Sequence, residues 1–247
     1  MRVLTVFLSL LFSLVACAQE SKPAKEPVPE PPKIENSSVD KSSVTKKVQA
    51  PVVTTAGSVY EEGKHYTVIK TPVRTITPGK IEVSEVFWYG CSHCFSFEPS
   101  LEAWSKVAPA DVALIKVPAI WRDVMNLHAR MYFAVENLGL YKKANMKIFE
   151  AMNTGSKKKF SNENEIAEYM TQFGVTKEEF LKVFNSFSVK SQAQQADSRA
   201  RGFGISSTPS MVVNGKYLVS PRSAGSHEDM LKVVNYLVDK ERPTLKK

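Results

Sequence analysis

The sequence predicts an α/β domain whose chain is interrupted by an all-helical insertion, and three observations carry that prediction. A β-branched and aromatic run at 81–88 leads into Cys91-Ser92-His93-Cys94 and then into a segment of helical character. Residues 122–201 read almost entirely as helices. Beyond them, two short strand-like runs flank Asn214-Gly215, and an apolar-periodic helix closes the chain. At 247 residues the chain suits one generous domain, or a small domain carrying an insertion.

Taken in order, Met1-Arg2 supplies a positive charge, and residues 3–16 form an apolar run broken only by Thr5, Ser9 and Ser13. This is the pattern of a secretory signal peptide, too short for the ~20 residues of a membrane span. It ends in Leu14-Val15-Ala16-Cys17, which resembles the lipobox of bacterial lipoproteins. That resemblance makes 1–18 a signal peptide and Cys17 a lipidated membrane anchor. Ala16-Cys17-Ala18 also satisfies the small-x-small rule of ordinary signal peptidase, and on that reading Cys17 is discarded. Residues 19–57 hold Pro23, Pro27, Pro29, Pro31, Pro32 and Pro51 among Lys, Glu, Ser and Thr, with no aromatic residue before Tyr60. Such a composition cannot offset its ordering entropy, so a disordered tether reaching roughly 35 Å is expected. Either cleavage route exports the body to an oxidising compartment. The net charge of +8 is then a solvated basic surface, with Lys157-Lys158-Lys159 as an exposed loop, and no nucleic-acid partner is expected.

The first part of the folded body spans 58–121: a strand at 65–69, the turn signal Pro78-Gly79, strands at 81–88 and 112–117, and a helix at 95–107 that Pro99 should kink. In the insertion at 122–201, Asn162 with Glu165 and Thr176 with Glu179 have capping-box spacing. Gly202 follows Arg201 as a C-terminal cap. The second part, 202–247, holds strands at 211–213 and 216–219 and a helix at 226–240 with Met230, Val233, Val234 and Leu237 as its apolar stripe. Trp88, Tyr89, Trp104 and Trp121 are expected in the core or along a groove. His65, His128 and His227 fall on different elements and are expected as surface or core residues.

The chemistry lies in the cysteines. Three are too few for a disulfide-rich scaffold or a four-thiolate zinc site. Cys91, His93 and Cys94 would make crowded metal ligands with no obvious fourth, so no metal is expected. Two cysteines separated by two residues at a helix start can instead close a disulfide within the first turn. Cys91 near the N-cap meets unpaired backbone N–H groups and the positive end of the helix dipole, which lower a thiol pKa from ~8.5 toward ~3.5–7.5. His93 adds a donor, and a charge when protonated. A stabilised Cys91 thiolate favours the dithiol over the disulfide, so the disulfide is readily passed on.

The chain resembles the DsbA-type thiol-disulfide oxidoreductases of the bacterial periplasm. The matching pieces are residues 60–66, Phe87-Trp88-Tyr89-Gly90-Cys91-Ser92-His93-Cys94, Asn185-Ser186-Phe187-Ser188-Val189-Lys190-Ser191, and the run from Thr208-Pro209-Ser210 through Tyr217. They occur in family order and cover nearly the whole body from Tyr60 onward. One departure is Cys-Ser-His-Cys where Cys-Pro-His-Cys is common in the family, and the intervening dipeptide tunes redox poise. The resemblance implies a thioredoxin fold with a helical insertion and no cofactor beyond a redox-active Cys91–Cys94 disulfide. Catalysis would involve Cys91, Cys94, His93 and Pro209. It makes Pro209 a cis-proline facing the disulfide, and Thr208 a backbone site where an extended substrate can add as a strand. It makes Glu85 and Lys116 a proton-handling pair beneath the active site; as residues alone, both could equally point to water from a strand edge. The implied partners are unfolded exported proteins with free thiols and a DsbB-like quinone-linked membrane oxidase. Reference values for DsbA and thioredoxin, which belong to those proteins and not to this chain, differ by about 150 mV, or about 7 kcal/mol. One pKa unit is worth about 1.4 kcal/mol, so an oxidase needs Cys91 to ionise well below neutrality. A reductase or isomerase using the same residues, and a peptide-binding chaperone with dispensable thiols, remain the competing readings.

Overall fold

The computed structural model describes residues 60–246. The signal-peptide, Cys17 and tether expectations therefore lie outside the described residues. In chain order the elements are β1 (Thr67–Val68), β2 (Ile81–Phe87), α1 (Ser92–Val107), β3 (Val112–Pro118), α2 (Asp123–Asn137), α3 (Tyr141–Asn153), α4 (Glu163–Met170) and α5 (Lys177–Phe184). They continue as α6 (Phe187–Gly202), β4 (Ser210–Val213), β5 (Tyr217–Val219), α7 (Pro221–Ala224) and α8 (His227–Glu241).

The five strands form one sheet in the order β1-β5-β4-β2-β3. β2 and β3 run parallel, from Ile81 opposite Val112 to Phe87 opposite Pro118, while β4 pairs antiparallel with both β2 and β5. Every residue of β2 is buried, as a central strand covered on both faces requires. Ile81 and Val83 pack with Phe97 and Leu101 of α1 and Val233 and Leu237 of α8. Val86 faces the other way, onto Ala196 and Ala200 of α6 and Met125 of α2. A further core lies among the helices of the insertion, where Phe149, Ile166 and Phe180 reach Phe87, Tyr89 and Cys94. This is the thioredoxin-like sheet with a helical block inserted between β3 and β4.

Several local expectations need adjustment. The first strand is only Thr67–Val68, because residues 61–66 close a turn in which Gly63 N donates to the Tyr66 carbonyl and His65 Nδ1 accepts from Glu61 N. The first helix starts at Ser92, since Cys91 itself is the N-cap. Thr176 and Glu179 form the full capping box, but Asn162 and Glu165 form only half of one: the Glu165 carboxylate reaches Ser161 N instead of the cap's own N–H. Gly202 is not the cap. It is the last residue of α6, and Gly204 takes the left-handed conformation at φ 69° that ends the helix. Gly204 N then donates to Arg201 O and Ile205 N to Ala200 O, the paired bonds of a Schellman end. At the predicted hairpin, Asn214 and Gly215 both have positive φ, and Lys216 N bonds the Val213 carbonyl.

One buried ion pair ties the insertion to the sheet. Arg199 of α6 meets Glu82 of β2, whose other oxygen accepts from Ile76 N at 2.7 Å.

Candidate active site

The site begins where β2 ends. Phe87 is the last strand residue, residues 88–90 turn the chain, and Cys91 caps α1 in extended backbone conformation. Cys91 Sγ accepts from Cys94 N at 3.4 Å and lies 3.4 Å from the Thr208 carbonyl oxygen. The Thr208–Pro209 bond is cis and immediately precedes β4, so β4 and α1 bring together residues more than a hundred positions apart.

Both cysteines are free thiols, Cys91 half-buried and Cys94 buried. Their proton affinities move in opposite directions. Cys91 is lowered to about 5, first by a hydrogen bond from the Cys94 side chain, against the opposing effect of burial. The Thr208 side chain and the backbone N–H groups of Cys94 and His93 add to the lowering. Cys94 is pushed well up, first by burial and then by its bond to Cys91 and the charge of Glu85. One sulfur is thus built to carry charge and the other to hold its proton.

His93 contributes differently from the expectation. Its side chain is exposed and makes no hydrogen bond to Cys91 among the described residues; its backbone N–H is what acts on the sulfur. The imidazole stands edge-on to His227, ring centroids 6.3 Å apart, so His227 stands beside the site. Burial lowers the proton affinity of His227, and His93 lowers it further.

Glu85 and Lys116 do not point to water. They lie opposite each other in the β2–β3 register, with Lys116 Nζ 2.8 Å from Glu85 Oε2 and both side chains buried. Among the described residues neither Glu85 oxygen has a hydrogen bond of good geometry, so the contact with Lys116 is one of charge. Glu85 is raised to about 7, first by burial, with Lys116 opposing and Glu98 and Cys91 adding. Although burial opposes it, Lys116 is held charged above its ordinary range by Glu85 and Glu98.

Glu98 is the residue that sequence reasoning missed. Its Oε2 is 2.5 Å from Lys116 Nζ, and its Oε1 accepts from Asn145 Nδ2 at 2.6 Å and from the Tyr141 hydroxyl at 3.3 Å. Asn145 Oδ1 in turn accepts from the Tyr89 hydroxyl at 2.9 Å. A signal existed: Glu98 sits four residues after Cys94 and three before Leu101, a charge in the buried stripe of α1. Among the described residues, no cluster of three or more His, Cys, Asp or Glu could hold a metal ion.

A dithiol at the start of a helix, facing a cis-proline at the head of an antiparallel strand, defines the class: a thioredoxin-fold thiol:disulfide oxidoreductase. Comparison with known proteins narrows it. The family described as DSBA-like thioredoxin domain matches residues 115–230. The thiol:disulfide interchange protein DsbA of Pseudomonas aeruginosa is 41% identical over 188 residues, covering 76% of this chain and 89% of that protein. The Azotobacter vinelandii protein of the same name is 43% identical over 180 residues, 73% of this chain and 84% of that one. The crystal structure of Pseudomonas aeruginosa DsbA superposes with a TM-score of 0.72, covering 76% of this chain and 97% of its own. The chain belongs to the DsbA family of thiol:disulfide interchange proteins.

Proposed function

We propose that the protein is a disulfide donor to exported proteins, with the lowered proton affinity of Cys91 as the observation that carries the direction. A substrate thiolate attacks Cys91 Sγ of the closed Cys91–Cys94 pair. The S–S bond breaks, Cys94 leaves and takes a proton, and a mixed disulfide forms between substrate and Cys91. A second substrate thiolate then attacks the substrate sulfur and expels Cys91 as a thiolate. The substrate leaves with a disulfide, and the protein keeps two electrons as its dithiol. Cys91 is the better leaving group for the same reason that the dithiol is the lower-energy form. His93 assists through its backbone N–H.

The half-buried Thr208 faces Cys91 ahead of Pro209, and its backbone can pair with an extended chain by main-chain bonds, which favours unfolded substrates over particular sequences. Glu85, with its raised proton affinity beside Lys116, is the buried group able to exchange the proton that Cys94 gains and loses. Reoxidation falls to a DsbB-like quinone-linked membrane partner that accepts both electrons. The family resemblance supports a periplasmic setting. The Leu14-Val15-Ala16-Cys17 motif supports tethering of the body through a lipid on Cys17, with residues 19–57 as the leash and domain limits at 58–121, 122–201 and 202–247.

Equilibration with glutathione tests the direction. The disulfide should open at mildly reducing ratios; a pair that stays closed until the buffer is strongly reducing points to a reductase. Cys91→Ser should abolish oxidation of a reduced, unfolded substrate, and retained oxidation would refute the assignment; activity in the variant lacking both cysteines would instead support the chaperone reading.

A further inference from the structure

Trp88 and His128 are 40 positions apart, yet Trp88 Nε1 donates to His128 Nδ1 at 2.9 Å, with the two rings 6.1 Å apart and 16° from parallel. On its other side, His128 Nε2 faces the carbonyl oxygens of Lys159 at 3.1 Å and Phe160 at 3.2 Å. Carbonyls only accept, so the proton sits on Nε2 and the lone pair on Nδ1. His128 is therefore a neutral imidazole locked in one tautomer, 2% exposed, and burial lowers its proton affinity further.

What the imidazole grips is the turn that carries the reacting sulfur. The Trp88 indole lies so close over Gly90 that a Cβ there would stand 2.4 Å from the indole Cζ2. The Trp88 carbonyl accepts from Cys91 N at 3.0 Å. The indole thus packs on the 88–91 turn at Gly90, and the last member of that turn is the N-cap of α1. The insertion supplies a second tie, because Asn153 Nδ2 donates to the Tyr89 carbonyl at 2.8 Å. His128 belongs to α2 and Asn153 to α3, while the turn belongs to the other half of the fold.

We propose that His128 is a positioning residue for Cys91: through the Trp88 indole it holds the 88–91 turn so that the sulfur faces the backbone N–H groups opening α1. Without that hold the turn loosens, Cys91 Sγ moves away from Cys94 N, and the thiolate loses donors. The inference rests on Cys91 being the reacting thiol, which the Cys91→Ser assay tests separately.

The experiment is a thiolate absorbance titration of the reduced full chain, with near-ultraviolet circular dichroism to establish that each variant is folded. His128→Leu and Trp88→Phe should each raise the Cys91 midpoint by about half a pH unit or more. Because both act along one chain of contacts, the double variant should shift no further than the larger single one. His128→Gln, whose carboxamide offers one acceptor and one donor, should restore most of the original midpoint. If His128→Leu does not fold, Trp88→Phe and His128→Gln carry the test. A folded His128→Leu or Trp88→Phe protein with an unmoved midpoint overturns the proposal, and so do additive shifts in the double variant.

Discussion

Lys116 holds Glu85 at 2.8 Å with the two side chains 6% and 0% exposed, so a cation and a carboxyl confront each other beneath the reactive dithiol with almost no water between them. Burial alone would drive both groups neutral. Lys116 escapes because it has a second carboxylate, Glu98, at 2.5 Å. Glu85 has no second cation among the described residues, and its proton affinity rises to about 7.

A stability signature follows for Glu85. Its folded-state value lies above its unfolded value of 4.5, so its contribution is fully present below pH 4.5 and is lost as pH rises through about 7. Over that window the wild type should lose stability relative to Glu85→Gln, by about 3 kcal/mol at most. Urea denaturation of both proteins at pH 4.5 and pH 8 checks this. Parallel behaviour of the two would show that Glu85 does not titrate between those limits.

Cys91 gives the opposite slope, and only in the reduced protein. Its folded value of about 5 lies below the reference 9.0, so the stability it contributes is present above pH 9 and lost as pH falls through 5. The oxidised form has no Cys91 proton to release, while Glu85 contributes to both forms. The denaturation midpoint of the reduced protein should therefore rise relative to the oxidised one as pH goes from 5 to 9. A difference that stays flat across that range contradicts a stabilised thiolate.

The tie between insertion and sheet is a third point of attack. Glu82 is fully buried and meets Arg199, so among the described residues Arg199→Ala leaves a buried carboxylate with only neutral donors from Ile76, Thr77 and Ser84. Loss of one partner of a buried pair costs about 3–5 kcal/mol, which urea denaturation of the variant should show. Replacing Glu82 and Arg199 together by apolar residues should recover most of that loss.

What the sequence disclosed follows the range of the interactions involved. Cys91 to Cys94 at a strand-to-helix junction, the Asn214-Gly215 turn and the Thr176–Glu179 box are all set within a few residues, and each signal is local. The Cys91 cap is equally local, whereas the cap expected at Gly202 falls two residues later, because Arg201-Gly202-Phe203-Gly204 offers two glycines of which only the second turns left-handed. Glu98 stayed hidden for another reason. Its partners Lys116, Tyr141 and Asn145 are 18, 43 and 47 positions away, and only tertiary packing brings them together. His128 is the same case, a histidine with no local partner whose contacts come from Trp88 and from Lys159 and Phe160.

The account turns on one ionisation, and ultraviolet absorbance of the reduced wild-type protein against pH reads it directly. Among the described residues, the structure predicts a thiolate appearing with a midpoint near 5, from Cys91, while Cys94 ionises only well above 9. A first midpoint above neutrality would contradict it, leaving the fold and family in place but removing the physical reason for the disulfide to be given away.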